Sequence, residues 1–168
     1  HNRHYIWGSS HLMKKLLKIS ACLIIVSSLI LHIIPDKAPD VNLNFIDGQK
    51  VNISSYKGSP LLITFWSITC SYCLKEIPKL TELYNELSPY GFEIIGIAMS
   101  YDQPNRVIEL SKRKQIPYSI ALDINSDAEQ AFGSIRTTPT SFLIDLNGKI
   151  IQHSVGTMNI KKLRSRIK

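Results

Sequence analysis

The stretch LLITFWSITCSYCLKEIP, residues 61–78, joins an apolar run to an amphipathic segment through two cysteines. Leu61–Trp66 is almost continuously apolar, which predicts a strand that is buried on both faces of a sheet. Apolar residues then return at helical spacing, namely Leu74, Ile77, Leu80, Leu83, Tyr84 and Leu87. Pro78 lies within this pattern and is expected to kink the helix. The stretch therefore predicts a buried strand that turns directly into a helix.

Cys70 and Cys73 lie at the turn between that strand and that helix. The first turn of a helix has unpaired N–H groups, and the positive end of the helix dipole favours a thiolate there. Cys70 is therefore predicted to attack a disulfide, and Cys73 is close enough to resolve the mixed disulfide that forms. This spacing predicts a site of thiol–disulfide exchange, which requires neither a metal ion nor a cofactor.

Other uses of the two cysteines stay open at this point. A structural disulfide of such short span contributes little by closing a loop, and a zinc site needs four ligands. A copper-binding thiol pair completed by His153 is an alternative, because thiolates select Cu(I). Residues 67–70 also fit the S/T-x-x-C part of a peroxiredoxin motif, but Ile63 stands where that motif has proline and Cys73 is unexpected in it.

The remaining chain alternates predicted strands with predicted helices. Asp47-Gly48 and Asn147-Gly148 are hairpin signals. The predicted strands are 42–46, 50–53, 92–99, 118–122, 140–144 and 150–154, and the predicted helices are 104–114, a short helix capped by Ser126 or Asp127 and ending at Gly133, and about 159–167. This order implies an α/β fold in which helices cover both faces of a mixed sheet.

The formal net charge of +7 is concentrated at the two ends of the chain. Residues 36–160 hold 11 Lys and Arg against 13 Asp and Glu, whereas residues 161–168 hold five basic residues and no acidic one. A nucleic-acid-binding protein is expected to carry its positive charge as a patch on the folded body. We therefore predict no nucleic-acid partner.

Residues 13–34 have the pattern of a signal anchor, with lysines followed by an uncharged run over 19–34. A helix over that run rises roughly 24 Å, and the leucines just before it extend it toward the ~30 Å core of a bilayer. The basic residues precede the run and Asp36 follows it, so the positive-inside rule places the rest of the chain outside the cytoplasm. We predict an uncleaved transmembrane segment.

The predicted organisation has four parts. Residues 1–12 precede Met13 and look like vector-derived sequence or an upstream, mis-set start. The anchor over 13–34 is followed by a polar linker over 35–40 with two prolines, and then by one domain over 41–168. About 130 residues suffice for one hydrophobic core.

Residues 65–78 resemble the active-site segment of membrane-anchored, thioredoxin-like proteins of the TlpA/ResA type. The likeness extends over residues 36–168 and includes Ala38-Pro-Asp40, Asp47-Gly48, Tyr56-Lys-Gly58 and Thr137–Asp145. It implies a thioredoxin-like fold with an N-terminal hairpin extension, and thiol–disulfide oxidoreductase activity at the outer, periplasmic side of a bacterial cytoplasmic membrane. The implied partners are disulfide-bearing proteins, with apocytochrome c among them, and a membrane thiol-transfer reductant.

The resemblance also assigns roles to individual residues. It implies that Cys70 is the exposed nucleophile, that Cys73 is the resolving thiol, and that the two form the redox-active disulfide. Pro139 matches the family's cis-proline, which faces the dithiol. Thr138 is then expected to pair its backbone with an extended substrate chain.

Three further side chains near the dithiol are candidates. Glu76 matches a glutamate of ResA-like members and is expected to exchange a proton with Cys73. It is the remaining acidic candidate because Thr64 stands where thioredoxins have a buried aspartate. Trp66 and Tyr72 are predicted to contact the substrate.

Overall fold

The computed structural model describes residues 14–20 and 37–167. The chain divides into two units, His1–Ile34 and Pro35–Lys168. In the first unit, residues 14–20 form a helix with exposed side chains. Among the residues described, no helix is both long and apolar enough to cross a membrane. Most of the predicted anchor, as well as residues 1–12, lies outside the described residues.

Residues 37–167 form a seven-stranded mixed sheet that is accompanied by four α-helices. The strands are β1 (Asn42–Phe45), β2 (Lys50–Asn52), β3 (Leu61–Trp66), β4 (Glu93–Ala98), β5 (Ser119–Leu122), β6 (Thr140–Ile144) and β7 (Ile150–Val155). The helices are α1 (Ser71–Leu87), α2 (Pro104–Arg113), α3 (Asp127–Ala131) and α4 (Ile160–Ile167). Short 3-10 turns occupy Ile53–Tyr56 and Ser88–Tyr90.

The strand order is β2-β1-β5-β4-β3-β6-β7, which places β3 in the interior of the sheet. Strands β3, β4 and β5 run parallel to one another, while β6 is antiparallel to β3. All six residues of β3 are buried, as the apolar run predicts. The mixed sheet confirms the predicted α/β class.

The side chains of β3 alternate between two hydrophobic cores, one on each face of the sheet. Leu62 and Trp66 belong to the core that also contains Cys73, which we call the dithiol-side core. Ile63 and Phe65 belong to the core on the other face, which we call the opposite core. Helices α1, α2 and α4 contribute buried residues to the dithiol-side core, and α3 contributes to the opposite core. Both faces are therefore covered by helices, as predicted.

Two local predictions concern Pro78 in α1 and the N-cap of α3. Helix α1 continues through Pro78, which is exposed, and ends at Leu87. Ser126 is the N-cap residue of α3, as one of the two predicted options had it, but its side chain makes no capping hydrogen bond. The side chain that caps the helix is Asp123. Its two carboxylate oxygens accept the N–H groups of Ala128 and Glu129 at 3.0 and 2.8 Å. A turn after β5 brings this carboxylate back onto the helix N-terminus, where a negative charge is favourable.

Candidate active site

The dithiol lies where β3 ends and α1 begins. Cys70 is the N-cap residue of α1, and its Sγ accepts the N–H of Cys73 at 3.1 Å. The two residues are joined by a disulfide with their Cα atoms 5.2 Å apart. Cys70 is partly exposed, whereas Cys73 is only 3% exposed. An incoming sulfur can therefore reach Cys70, and Cys73 can be reached only from within the protein.

The backbone around Thr138 lies beside the exposed sulfur. The carbonyl oxygen of Thr138 is 3.4 Å from Cys70 Sγ, and the Thr138–Pro139 peptide bond is cis, as the resemblance implies. The carbonyl of Pro139 accepts the N–H of Gly156 at 2.8 Å, which ties this loop to the end of β7. Residues 68 positions apart in the chain thus form one face of the site.

Glu76 is buried on the same helix, one turn after Cys73. Its side chain is 3% exposed, and Oε1 accepts the backbone N–H of Met158 at 2.7 Å. Burial raises the pKa of the Glu76 carboxyl, while the bond from Met158 and the charge of Lys79 act in the opposite direction. A carboxyl whose pKa is raised toward neutrality is suited to take up and return a proton.

A small pocket of about 10 Å³ lies beside Cys73 and Glu76. It is lined by Thr64, Trp66, Cys73, Glu76, Ile77, Leu80, Tyr118 and Pro139. Burial, with a contribution from the charge of Glu76, raises the pKa of Tyr118, so its phenol stays protonated at neutral pH. The pocket is far smaller than the ~300 Å³ that a small-molecule site needs. A substrate therefore meets the disulfide from outside, at Cys70.

The two aromatic residues predicted to contact substrate lie in different environments. Tyr72 is 64% exposed, with Lys75 Nζ 5.9 Å from the centroid of its ring. Trp66, in contrast, is 4% exposed and lies in the dithiol-side core. Its indole packs over Gly96 on β4, where a Cβ atom would lie 3.1 Å from Trp66 Nε1. Trp66 is therefore part of the packed core beside the dithiol, whereas the sequence predicted that it contacts the substrate.

His153 lies on the other face of the sheet from the dithiol. Its ring stacks on Phe142 with the centroids 4.6 Å apart, and Phe142 belongs to the opposite core. Burial lowers the pKa of His153. The copper alternative requires His153 to lie beside the two cysteines, and the structure places it on the other face of the sheet.

Asp102 is a residue of the site that the sequence did not indicate. It follows β4 and is 8% exposed. Its Oδ1 accepts the hydroxyl of Ser67 at 2.9 Å, and its Oδ2 accepts the N–H of Ile68 at 2.9 Å. Since the one proton of Ser67 goes to Asp102, the hydroxyl of Thr69, 2.9 Å from Ser67 Oγ, donates to Ser67. The loop that leads to Cys70 is thereby held to the end of β4.

Replacing Asp102 by alanine is expected to lower the free energy of unfolding of the oxidised protein by about 2–3 kcal/mol, because two donors near the dithiol lose a charged acceptor. Chemical denaturation measures this loss. Asp127→Ala, which removes an exposed carboxylate from α3, is the matched control. A loss in Asp102→Ala no larger than that of the control would contradict the role given to this carboxylate.

The fold and the site together define a class of protein. A mixed sheet, an exposed cysteine that caps a helix, a buried cysteine in the first turn and a cis-proline beside them characterise the thioredoxin-like thiol–disulfide oxidoreductases. The sequence profile of the AhpC/TSA family matches residues 34–153, and the chain belongs to this family.

Named relatives agree with this class. The chain is 31% identical over 133 residues to the thiol-disulfide oxidoreductase ResA of Bacillus thuringiensis subsp. konkukian (strain 97-27), covering 79% of this chain and 75% of the relative. A solution structure of a Neisseria meningitidis protein described as a thioredoxin matches with a TM-score of 0.73 and 30% identity, covering 79% of this chain and 89% of that one. A crystal structure of a Chlorobium tepidum protein described as the thiol:disulfide interchange protein DsbE matches with a TM-score of 0.72 and 26% identity, over 80% and 94%. The resemblance found in the sequence is confirmed, and the protein is a thiol–disulfide oxidoreductase.

Proposed function

We propose that this protein reduces disulfides in other proteins, with Cys70 as the attacking sulfur, Cys73 as the resolving sulfur and Glu76 as the group that exchanges a proton with Cys73. The observation that carries the proposal is the division of labour between the two sulfurs. Cys70 is accessible and accepts a helix N–H, whereas Cys73 is buried and lines a small pocket with Glu76.

The reduction proceeds in two exchanges. The thiolate of Cys70 attacks one sulfur of the substrate disulfide, that disulfide breaks, and the released substrate thiolate takes a proton. Cys73 then gives its proton to Glu76, and its thiolate attacks Cys70 Sγ. This attack breaks the mixed disulfide and releases the second substrate sulfur as a thiolate, which takes a proton from solvent. Two electrons pass to the substrate, and the protein ends in the disulfide form.

The Thr138 backbone is proposed to position the substrate. Its carbonyl is 3.4 Å from Cys70 Sγ, and its residue is partly exposed. An extended substrate chain can pair with this backbone as a short added strand, which places the substrate cysteine opposite Cys70.

The location and the partners follow from the same proposal. The lysine-rich start and uncharged run of residues 13–34 support a single anchor in the bacterial cytoplasmic membrane, with a linker over 35–40 and the domain over 41–168 on the extracytoplasmic side. Such a domain needs a membrane thiol-transfer protein to restore its dithiol. The relatives named ResA and DsbE support disulfide-bearing proteins as its substrates, and we include apocytochrome c among them.

The reduction potential tests the direction of transfer. We expect the full-length chain, equilibrated in glutathione or dithiothreitol redox buffers, to give a value near the roughly −270 mV of thioredoxin. A value near −120 mV, as for a strong oxidant, would instead make the protein an oxidase of its substrates.

A further inference from the structure

The basic residues of the C-terminal helix have no part in the exchange reaction. Residues 161–168 hold five basic residues and no acidic one. Arg164 forms an ion pair, since its Nη2 lies 2.8 Å from Glu86 Oε2 on α1. Lys162 and Arg166 are exposed and lie four positions apart, so they are neighbours on the surface of α4. Two like charges at this spacing destabilise a helix, and a negatively charged partner would remove that repulsion.

The basic side of α4 continues onto the start of β7. Arg166 Nη1 donates to the carbonyl of Ile151 at 2.9 Å, and Lys149 lies two residues before Ile151. Lys149 forms an antiparallel bridge with Lys37, and both lysines are exposed. Contacts within the folded domain thus connect basic residues that lie more than 120 positions apart in the chain.

Lys57 lies over the same turn. A Cβ atom on Gly148 would lie 3.6 Å from Lys57 Cε, so this side chain covers the residue next to Lys149. The five exposed basic residues connected in this way, which we call the basic face, are Lys37, Lys57, Lys149, Lys162 and Arg166.

Two acidic residues lie beside the basic face. Asp40 and Asp145 line one pocket with Lys37 and Lys57. Asp145 Oδ1 also accepts the N–H groups of Asn147 and Lys149, at 2.9 and 2.8 Å, so this carboxylate holds the turn. Five basic residues against two acidic ones leave a net charge of +3 on this surface.

The lysines of the turn lie at the end of the sheet opposite to the dithiol. Strand β6 is antiparallel to β3, and its last residue, Ile144, pairs with Leu61. The turn before Lys149 therefore lies beside the start of β3, whereas Cys70 follows the end of β3. The six residues of β3 rise ~20 Å. A flat surface in contact with these lysines thus leaves the dithiol roughly 20 Å away and free to react.

We propose that the basic face binds the anionic headgroups of phospholipids at the surface of the membrane. The inference rests on the proposed location of the domain, and it goes beyond the proposed function by naming the surface that contacts the bilayer. Lysines and arginines near an anionic lipid surface are attracted to it, so the charges are complementary.

The position of Lys37 in the chain supports this partner. In the sequence, only residues 35 and 36 separate Lys37 from the predicted anchor over 13–34. Even fully extended, this connection spans only roughly 10 Å. A tether of that length makes the contact with lipid effectively intramolecular, so a weak attraction per residue is sufficient.

The test uses the full chain in lipid nanodiscs of two compositions, phosphatidylcholine alone and an equal mixture of phosphatidylcholine and phosphatidylglycerol. A short pulse of an N-hydroxysuccinimide acetyl ester labels the lysines, and mass spectrometry gives the rate at each one. A surface potential near about −30 mV raises the local proton concentration about threefold, and protonated amines do not react. We therefore expect Lys57, Lys149 and Lys162 to react at least about threefold more slowly in the anionic discs.

Two further conditions define the expected result. Lys75 and Lys79, which are exposed near the start of α1 at the dithiol end, should react equally in the two discs. In about 0.5 M NaCl, where the Debye length is roughly 4 Å, the protection of the basic face should disappear.

A triple variant, Lys149→Gln/Lys162→Gln/Arg166→Gln, separates the basic face from the anchor. We expect Lys57 in this variant to react at equal rates in the two discs. Its rate with a soluble peptide disulfide should equal that of the wild type, because none of the three residues is near the dithiol. The matched control is Lys75→Gln/Lys79→Gln/Arg106→Gln, which removes the same number of exposed charges at the dithiol end and should keep the protection of Lys57.

Equal reactivity of the basic-face lysines of the wild-type chain in the two discs would overturn the proposal. So would protection of Lys57 that survives in the basic-face variant or is lost equally in the control. If the lysines were protected while the wild-type chain reduced no peptide disulfide, the proposed function would fail and the lipid contact would stand.

Discussion

The Cys73→Ser variant is expected to stop after the first exchange and to accumulate a mixed disulfide between Cys70 and the substrate. Cys70 stays accessible at the helix N-terminus, but the buried sulfur that releases the product is missing. Turnover should be abolished, with close to one substrate bound per protein. Mass spectrometry under non-reducing conditions, with the reduced variant and a peptide disulfide, identifies the linked residue.

Cys70→Ser is the matched control for this experiment. It keeps a free thiol at Cys73, but Cys73 is 3% exposed and lines the same small pocket as Glu76. We expect no mixed disulfide on the time scale of the Cys73→Ser reaction. An adduct that forms through Cys73 at a similar rate would reverse the roles assigned to the two sulfurs.

Glu76→Gln is expected to slow release of the mixed disulfide by ~10²–10⁴-fold, the usual contribution of a general acid or base. Alkylation of Cys70 near neutral pH should stay nearly unchanged, because Cys70 owes its thiolate character to the helix N-terminus and lies six residues before Glu76. Stopped-flow measurement of the two exchanges across pH 5–9 separates these steps. A release rate equal to that of the wild type throughout this range would remove Glu76 from the mechanism.

The stability of Glu76→Gln distinguishes proton transfer from a structural role. Burial raises the pKa of Glu76, so the folded state binds the proton more tightly than the unfolded state. The stability that this carboxyl contributes is therefore present at pH values below its unfolded pKa and is lost as the pH rises through the folded one. Gln keeps the acceptor for Met158 and removes the buried charge, so we expect equal or higher stability at pH 7 and a smaller gain toward pH 4.

Urea denaturation at both pH values measures this difference in stability. Glu82→Gln, which changes an exposed glutamate on the same helix, is the control. A slow exchange in Glu76→Gln that came with a loss of stability at pH 7 would indicate a structural role instead.

The parts of the fold that could be predicted from the sequence depend on local patterns. The run Leu61–Trp66, apolar except for Thr64, predicts a central strand because a strand covered on both faces favours such a run. Cys70 and Cys73 are near one another in the chain, so their relation to the helix N-terminus follows from spacing alone. The pairing of Thr138 with Cys70 came from the resemblance and not from spacing.

The parts that could not be predicted depend on contacts between distant residues. Glu76 accepts its hydrogen bond from Met158, 82 positions later, and a glutamate three residues after a cysteine looks like any exposed helix residue. Asp102 reaches a loop 35 positions earlier in the chain. Trp66 packs closely against Gly96 on a neighbouring strand, where a Cβ atom would lie 3.1 Å from the indole nitrogen. Neither periodicity nor composition contains this information.

Cys70 has two tasks, since the sulfur that caps α1 is also the sulfur that is oxidised and reduced. A thermodynamic cycle links these tasks. The difference in unfolding free energy between the reduced and the oxidised chain equals the difference in redox free energy between the folded and the unfolded chain, at about 1.4 kcal/mol per 30 mV. Any substitution that weakens the bond from the Cys73 amide to a Cys70 thiolate therefore moves both quantities together. The reduction potential of this protein therefore also reports the stability of the first turn of α1.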